Sequence, residues 1–198
     1  MLTQQQNGEI VWRKTKRVTL RPVLEIDLPH IVRWINDPEV TKYLATHFPM
    51  MEAEEKDWFT NLPKCKPHDI VVALVVDGKI IGTMGLHDID YKNRRATTGA
   101  LIGEKDYWGK GYGSEAKMLL LDYAFNTLNL HKVCSNVIAF NERSIRYSLK
   151  CGYEEEGRKR EQHFSQGKYW DEVNLAVFQK QWKPHWRKFA KQHSLLLI

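Results

Sequence analysis

Three glycines within five residues run into a strongly periodic stretch between Glu104 and Ala116 (EKDYWGKGYGSEA), and this junction constrains the chain more than any other. From Ala116 onward Leu119, Leu120, Tyr123, Ala124, Thr127 and Leu128 recur at helical spacing, which predicts an amphipathic helix with one stripe turned to a core. Gly109, Gly111 and Gly113 carry no Cβ to hold a ligand off the backbone. Unpaired first-turn N–H groups and the helix dipole favour negative charge at the same place. A cradle for a phosphate is one reading and a flexible turn before a helix is the other; glycine spacing alone does not choose between them.

The order of elements around the loop gives it a place in a fold. Ala96 to Gly103 (ATTGALIG) reads as a strand leading into the loop, and Lys132 to Ile138 (KVCSNVI) as the strand after the helix. A parallel crossover of this kind sets the loop at the strand ends, where ligands bind. Upstream, Asp69 to Asp77 and Lys79 to His87 flank Gly78 as a hairpin, and the apolar character of both faces of the first strand calls for helices on both faces of a sheet. Arg17 to Val23 reads as a short strand, Asp27 as the N-cap of a helix that Asn36-Asp37-Pro38 stops, and Ala53 to Leu62 as a helix with Trp58, Phe59 and Leu62 inward. The intervening YLATHFPMM lines a pocket or forms a buried loop. Asn141 caps a later helix carrying Ser144 and Ser148 on one face, Gly152 closes it, and Tyr153 to Phe164 with Tyr169 to Gln179 form a last hairpin.

Length and composition set the outer bounds. With 198 residues, 42% of them hydrophobic, the chain is long enough for one core. The expected division is a mobile extension over 1–15, a single domain over 16–182, and a basic, aromatic tail or short helix over 183–198. The start lacks the apolar core of a signal peptide and no apolar run is long enough for a bilayer, so a cytoplasmic protein without membrane contact is expected. Cys65, Cys134 and Cys151 lack metal-type spacing and read as reduced thiols, with no disulfide and no metal. The net charge of +6 is scattered and no nucleic-acid motif accompanies it, so no direct nucleic-acid binding is expected and the phosphates of a small cofactor suffice as the acidic partner.

Taken together, YWGKGYGSEA at Tyr107 to Ala116, LNLHKV at Leu128 to Val133, NERSIRYSLKCGY at Asn141 to Tyr153, the EEEGRKR that follows, and GKYWDEVNLAVF at Gly167 to Phe178 resemble the GNAT superfamily of acyl-CoA-dependent N-acyltransferases, in particular its RimJ/RimL-like branch. The resemblance implies an α/β fold: a mixed, mainly antiparallel sheet of about seven strands, helices on both faces, and a splayed parallel pair that admits the pantetheine arm of acetyl-CoA. It places pantetheine contacts at Leu101, Ile102, Gly103 and Asn141, pyrophosphate contacts at the N–H groups of Lys110, Gly111, Tyr112, Gly113 and Ser114, and further cofactor contacts at Trp108, Gly109, Ser144 and Ser148. Trp108 stands where the superfamily's loop usually begins with Gln or Arg.

The catalytic positions depart from the superfamily pattern. Ser148 occupies the place of the tyrosine that many members use as an acid, and Tyr147, one residue earlier, is rotated by about 100° on a helix. Ser144 and Ser148 are the acid candidates, and Glu104 and His87 the base candidates; a surface carboxylate and an ordinary hydrogen-bonded histidine are the competing readings of the last two. The expected activity is direct transfer of an acetyl group from acetyl-CoA to a primary amine, without a cysteine acyl-enzyme, in a monomer or homodimer. An α-amine is about ten per cent neutral at pH 7 whereas a lysine-like amine is neutral in roughly one molecule per 2,500, so a protein or peptide N-terminus demands less of a base. A polyamine, aminoglycoside or amino sugar is the alternative acceptor, for which Glu52, Glu54 and Glu55 offer acidity; a CoA-binding module without chemistry is the reading from another class.

Overall fold

In the computed structural model of the protein, residues 10–44, 46 and 48–195 are described. Ala45 and His47 of the YLATHFPMM segment, residues 1–9 of the expected extension and 196–198 of the tail lie outside them. Eight strands form one sheet among the described residues: β1 (Arg13–Lys14), β2 (Thr19–Pro22), β3 (Ile70–Val76), β4 (Lys79–Asp90), β5 (Arg95–Ile102), β6 (Lys132–Ile138), β7 (Glu154–Ser165) and β8 (Lys168–Phe178). Their order is β1-β2-β3-β4-β5-β6-β8-β7. The β5–β6 pair is parallel, whereas β1–β2, β2–β3, β6–β8 and β7–β8 are antiparallel. The mixed sheet expected from the sequence is present, and the strand beyond the expected seven is accounted for by the two-residue β1.

The chain divides into two compact units, Met1–Gly85 with Ala100–Ala116 and Leu86–Gly99 with Lys117–Ile198. In the first, the β3–β4 hairpin turns through Asp77 and Gly78 at φ of 49° and 75°, the positive pair that a two-residue hairpin turn requires. Helix α1 (Leu28–Ile35) follows a 3-10 turn at Glu25–Asp27, and α2 (Pro38–Thr41) begins at Asp37, whose side chain accepts the Glu39 N–H at 2.9 Å. Asp27 corrects its expected role. Its side chain makes no cap bond to α1 but takes both terminal nitrogens of Arg21, at 2.6 and 2.8 Å, and the Leu24 N–H at 2.8 Å. A carboxylate only 2% exposed is thus paired and hydrogen-bonded, as burial demands.

The core of this unit gathers Val23, Leu28, Ile31, Trp34, Val40, Ala73, Val75 and Ile80. Helix α3 (Glu52–Cys65) lays Trp58, Phe59 and Leu62 against it, and Leu101 and Trp108 close on the same cluster. Glu55 stands at the head of that α3 stripe, three, four and seven residues before the apolar members. It is 2% exposed and its Oε1 has no partner among the described residues. Burial pushes its carboxyl up to about 7.

In the second unit the residues Lys117 to Asp122 of α4 (Tyr112–Asp122) are all buried, so this end of the helix is covered on every side rather than along one stripe. The expected stripe breaks at Tyr123, where the chain widens into a π-helical turn, Tyr123–Thr127. The Leu128 N–H reaches back five residues to the Tyr123 carbonyl at 3.0 Å, and the Gln179 side chain donates to the Phe125 carbonyl at 2.9 Å. Helix α5 (Glu142–Lys150) ends at Gly152, which adopts φ of 94°. Helix α6 (Gln179–His193) takes up much of the tail and buries Trp182, Trp186 and Ala190; Trp182 meets Phe125 with ring centroids 5.1 Å apart. Among the described residues no helix is long and apolar enough to cross a membrane.

Glu55 generates a stability prediction. Below pH 4.5 the carboxyl is protonated in both folded and unfolded chains; as pH rises the unfolded chain ionises first, and the folded one only near 7. Glu55→Gln is therefore expected to gain on the natural chain across this window, by up to about 3 kcal/mol at pH 8. Urea unfolding of both proteins from pH 4 to 8 checks it; a difference that does not grow with pH contradicts it.

Candidate functional site

In the first unit the glycine loop is held from beneath. Glu115, in the first turn of α4 and 4% exposed, accepts from Arg17 Nε at 2.7 Å and from Thr15 Oγ1 at 2.8 Å, and Arg17 Nη2 closes a second ion-paired contact. The same guanidinium donates to the Lys110 carbonyl at 3.4 Å and lies 4.9 Å from the Tyr112 ring centroid. An unpaired carboxylate in a helix first turn would repel an incoming anion; Arg17 offsets it and leaves the loop's donors effective. Gly109 and Gly111 turn at φ of 75° and 88°, a conformation that side-chained residues rarely adopt. A Cβ on Gly109 would meet nothing within 4 Å, so its face is open to a ligand. The Glu115 N–H reaches the Gly111 carbonyl at 3.1 Å, which sets Tyr112 and Gly113 in the first turn of the helix, where N–H groups precede the first carbonyl that the helix itself offers. Exposed glycines, a helix first turn and a neutralised acid suit a diphosphate.

The expected contact residues at the end of β5 have other duties as well. The Trp108 indole N–H donates to the Ile102 carbonyl at 2.7 Å, and the Gly103 N–H to the Ile81 carbonyl at 3.0 Å. Gly103 is glycine because of Trp34, whose ring atoms lie 2.0 Å from where a Cβ would stand. Leu101 is half-buried in the core cluster, and its carbonyl lies 2.1 Å from the Cβ position of Gly82. Glu104 is encircled by donors: Trp34 Nε1 at 3.0 Å, Lys79 Nζ at 3.1 Å and the Arg33 guanidinium. Burial raises its carboxyl, but the bonds from Lys79 and Trp34 and the charges of Arg33 and Lys79 prevail and hold it below the ordinary value. An acid so held is a poor acceptor of a proton near neutral pH.

In the second unit β5 and β6 part company. Their parallel register covers Arg95↔Lys132, Ala96↔Val133 and Thr97↔Cys134 and goes no further, while both strands continue. Thr98 stands at the fork and donates its hydroxyl to the Cys134 carbonyl at 3.1 Å. Because that hydroxyl has one proton, the Tyr153 O–H, 3.1 Å away, is the donor between them. Burial pushes the Tyr153 phenol far up, so it stays neutral. Asn141 caps α5 by accepting the Ser144 N–H at 3.2 Å. Ser144 is half-buried on that helix, whereas Ser148 is wholly buried and accepts from Lys117 Nζ at 3.3 Å. His87, at the β4 end belonging to this unit, holds its Nε2 3.0 Å from the Cβ position of Gly99, so the missing side chain there makes room for the imidazole.

Cys65, Cys134 and Cys151 are free thiols. Burial pushes the Cys134 thiol up and the Cys151 thiol up to about 12, which leaves neither a ready nucleophile. Among the described residues no group of three or more His, Cys, Asp or Glu is placed to hold a metal ion. Sequence reasoning passed over Arg17, Tyr153 and Lys117. For Lys117 a signal existed: a lone lysine inside AKMLLL, a run apolar all round, has no solvent face to turn to.

Gly103→Ala is expected to destabilise the protein by about 1–3 kcal/mol, because the methyl group overlaps the Trp34 ring. Urea denaturation checks it, and an unchanged midpoint would show that Trp34 moves aside without cost.

A model of the acetyltransferase (GNAT) domain matches residues 17–154. The N-acetyltransferase p20 of Bacillus licheniformis is 30% identical over 172 residues, covering 85% of this chain and 96% of its own. The spermidine N(1)-acetyltransferase of Escherichia coli (strain K12) is 30% identical over 166 residues, covering 83% and 88%. The crystal structure of spermidine N-acetyltransferase from Vibrio cholerae in complex with CoA and spermine superposes with a TM-score of 0.78 at 25% identity, covering 84% of this chain and 98% of that one.

Proposed function

Since the chain belongs to the GNAT acetyltransferase family and is an acetyl-CoA-dependent N-acetyltransferase, we propose that its acceptor is a small polyamine-class primary amine. The observation that carries the choice is the likeness to spermidine acetyltransferases over more than four-fifths of the chain. The first turn of α3 adds to it: Glu52 and Glu54 are exposed there, and they offer an acidic face to a polycation. A second reading, an α-amine of a protein or peptide as in the RimJ/RimL-like branch, is favoured by one observation. Glu104 is held ionised by its donors, and an α-amine, already partly neutral at pH 7, asks least of a base.

In this reading the N–H groups of Lys110 to Ser114 hold the pyrophosphate, with Trp108, Gly109 and Gly111 shaping the loop for close approach. Backbone groups of Leu101 to Gly103 and the Asn141 side chain serve the pantetheine arm, the Ile102 carbonyl sharing its capacity with Trp108. Acetyl-CoA supplies an activated acyl group on a thiol that is a tolerable leaving group. His87 takes the proton from the amine and Ser144 hydrogen-bonds the departing sulfur; Glu104 acts as an anionic tie between α1, β4 and the loop. Rate comes chiefly from holding the amine and thioester in line. A cysteine-linked route is disfavoured by the raised Cys134 and Cys151 thiols.

Two outcomes are expected. CoA release from acetyl-CoA is faster with spermidine and spermine than with short peptides bearing free N-termini, with mass analysis of the products; preferential peptide acetylation selects the second reading instead. Gly111→Val, which forces a β-branched residue to a φ of 88°, weakens CoA binding about tenfold or more in titration calorimetry. Unchanged affinity in that variant removes the loop from the binding account.

A further inference from the structure

Lys117 is 1% exposed, and its partners among the described residues are one hydroxyl and two aromatic faces, with no carboxylate. Its Nζ donates to Ser148 Oγ at 3.3 Å and lies 4.5 Å from the Tyr147 ring centroid and 4.8 Å from that of Tyr153. Taking an ammonium out of water without an acidic partner is costly, and a helix gains nothing by bearing that cost at a position where an apolar residue would pack. The ring faces offer their negative quadrupoles to Nζ, which is a partial substitute for a carboxylate. The surroundings lead from Lys117 to the fork of β5 and β6. Tyr153 presents its ring to Lys117 and its hydroxyl to Thr98, and Thr98 binds the Cys134 carbonyl at the last register pair. Cys151 is a sulfur near this charge. There burial drives the thiol up, and the charges of Lys117 and Lys150 pull against it.

We propose that Lys117 is a positioning residue that stabilises the coenzyme A thiolate as it departs, acting through the Ser148 hydroxyl and through its own unneutralised charge beneath the β5–β6 fork. This rests on the reading that the thioester lies at that fork beside Ser144. In the step concerned the amine nitrogen forms a bond to the acetyl carbon and the carbon–sulfur bond breaks. The bonding pair leaves on sulfur, and the proton of the nitrogen passes to the base. Where many members of the family supply a tyrosine acid, this chain has Ser148, whose oxygen already accepts from Lys117, so its own proton points away from Nζ. A fixed cation behind that hydroxyl lowers the energy of the sulfur anion without giving up a proton. The other titratable groups facing it are Tyr147 and Tyr153 by their rings and the Cys151 thiol, with Cys134 beyond Tyr153.

The test titrates the thiol of CoA bound to the full chain, by thiolate absorbance against the desulfo-CoA complex as blank, in the natural protein, Lys117→Met and Ser148→Ala. Methionine keeps the length of the side chain and removes the charge. The expected result is a bound thiol that titrates about one unit higher in Lys117→Met, a tenfold loss of thiolate at a given pH, and is raised by a smaller amount in Ser148→Ala. CoA affinity at low pH, where the thiol is protonated, is expected to be the same in Lys117→Met as in the natural protein. A structural role alone leaves the thiol where it is. A Lys117→Met complex that binds CoA with an unshifted thiol overturns the proposal, and if that variant fails to fold, an unshifted Ser148→Ala complex overturns it. Failure of the natural protein to bind CoA overturns the coenzyme reading on which the proposal rests, a result distinct from binding without a shift.

Discussion

Every peptide group that a sheet leaves behind must find another partner, and in this protein that requirement falls on the strands β5 and β6. Their ladder stops at Thr97 and Cys134, while β6 stays paired with β8 along its whole length, from Lys132↔Phe178 to Ile138↔Glu172. Beyond Thr97 and Cys134 the facing edges of β5 and β6 have no ladder between them, and the groups along them need donors and acceptors from elsewhere. One of these duties is met by Thr98, which spans the opening to the Cys134 carbonyl. In the proposed reading a ligand with amides along its length would meet others, a physical reason for a parallel pair to be so briefly joined.

The glycine loop answers a different demand, that of placing an anion on bare backbone without a rival charge beside it. Glu115 anchors the loop from inside, and Arg17 and Thr15, about a hundred residues earlier in the chain, absorb its charge. The arrangement fixes the first turn of α4 and offsets the acid that stands in it. At the end of β5 the indole of Trp108 folds back to the Ile102 carbonyl and joins the same apolar cluster as Trp34 and Trp58. Loop geometry and core packing are thus a single problem in this unit, and Glu104, gripped by Trp34 and Lys79, belongs to the same solution.

What the sequence makes legible is local. The Asp77-Gly78 hairpin, the Asn141 cap, the Gly152 stop and the glycine loop each depend on residues within a few positions of one another, and each takes the form that their chemistry dictates. The long helix is legible as a helix but not in its detail. The stripe from Leu119 to Leu128 reads as straight, whereas the Phe125 carbonyl is claimed by Gln179 and the turn widens. Asp27 has the identity and place of an N-cap, yet a partner in the preceding strand, Arg21, takes its carboxylate. Glu55 reads as one of three acids offered to a polycation and is instead buried, because α3 begins its inward face at that residue. Lys117 and Arg17 acquire their meaning from Ser148 and Glu115, contacts that no spacing in the chain announces.

The central claim is that the loop's backbone holds the diphosphate of acetyl-CoA, and the most direct measurement is a crystal structure of the protein with CoA. The account predicts pyrophosphate oxygens within hydrogen-bonding distance of the N–H groups of Lys110 to Ser114, with Arg17 still on Glu115. A diphosphate bound elsewhere, or held by side chains with those N–H groups turned to solvent, would contradict it.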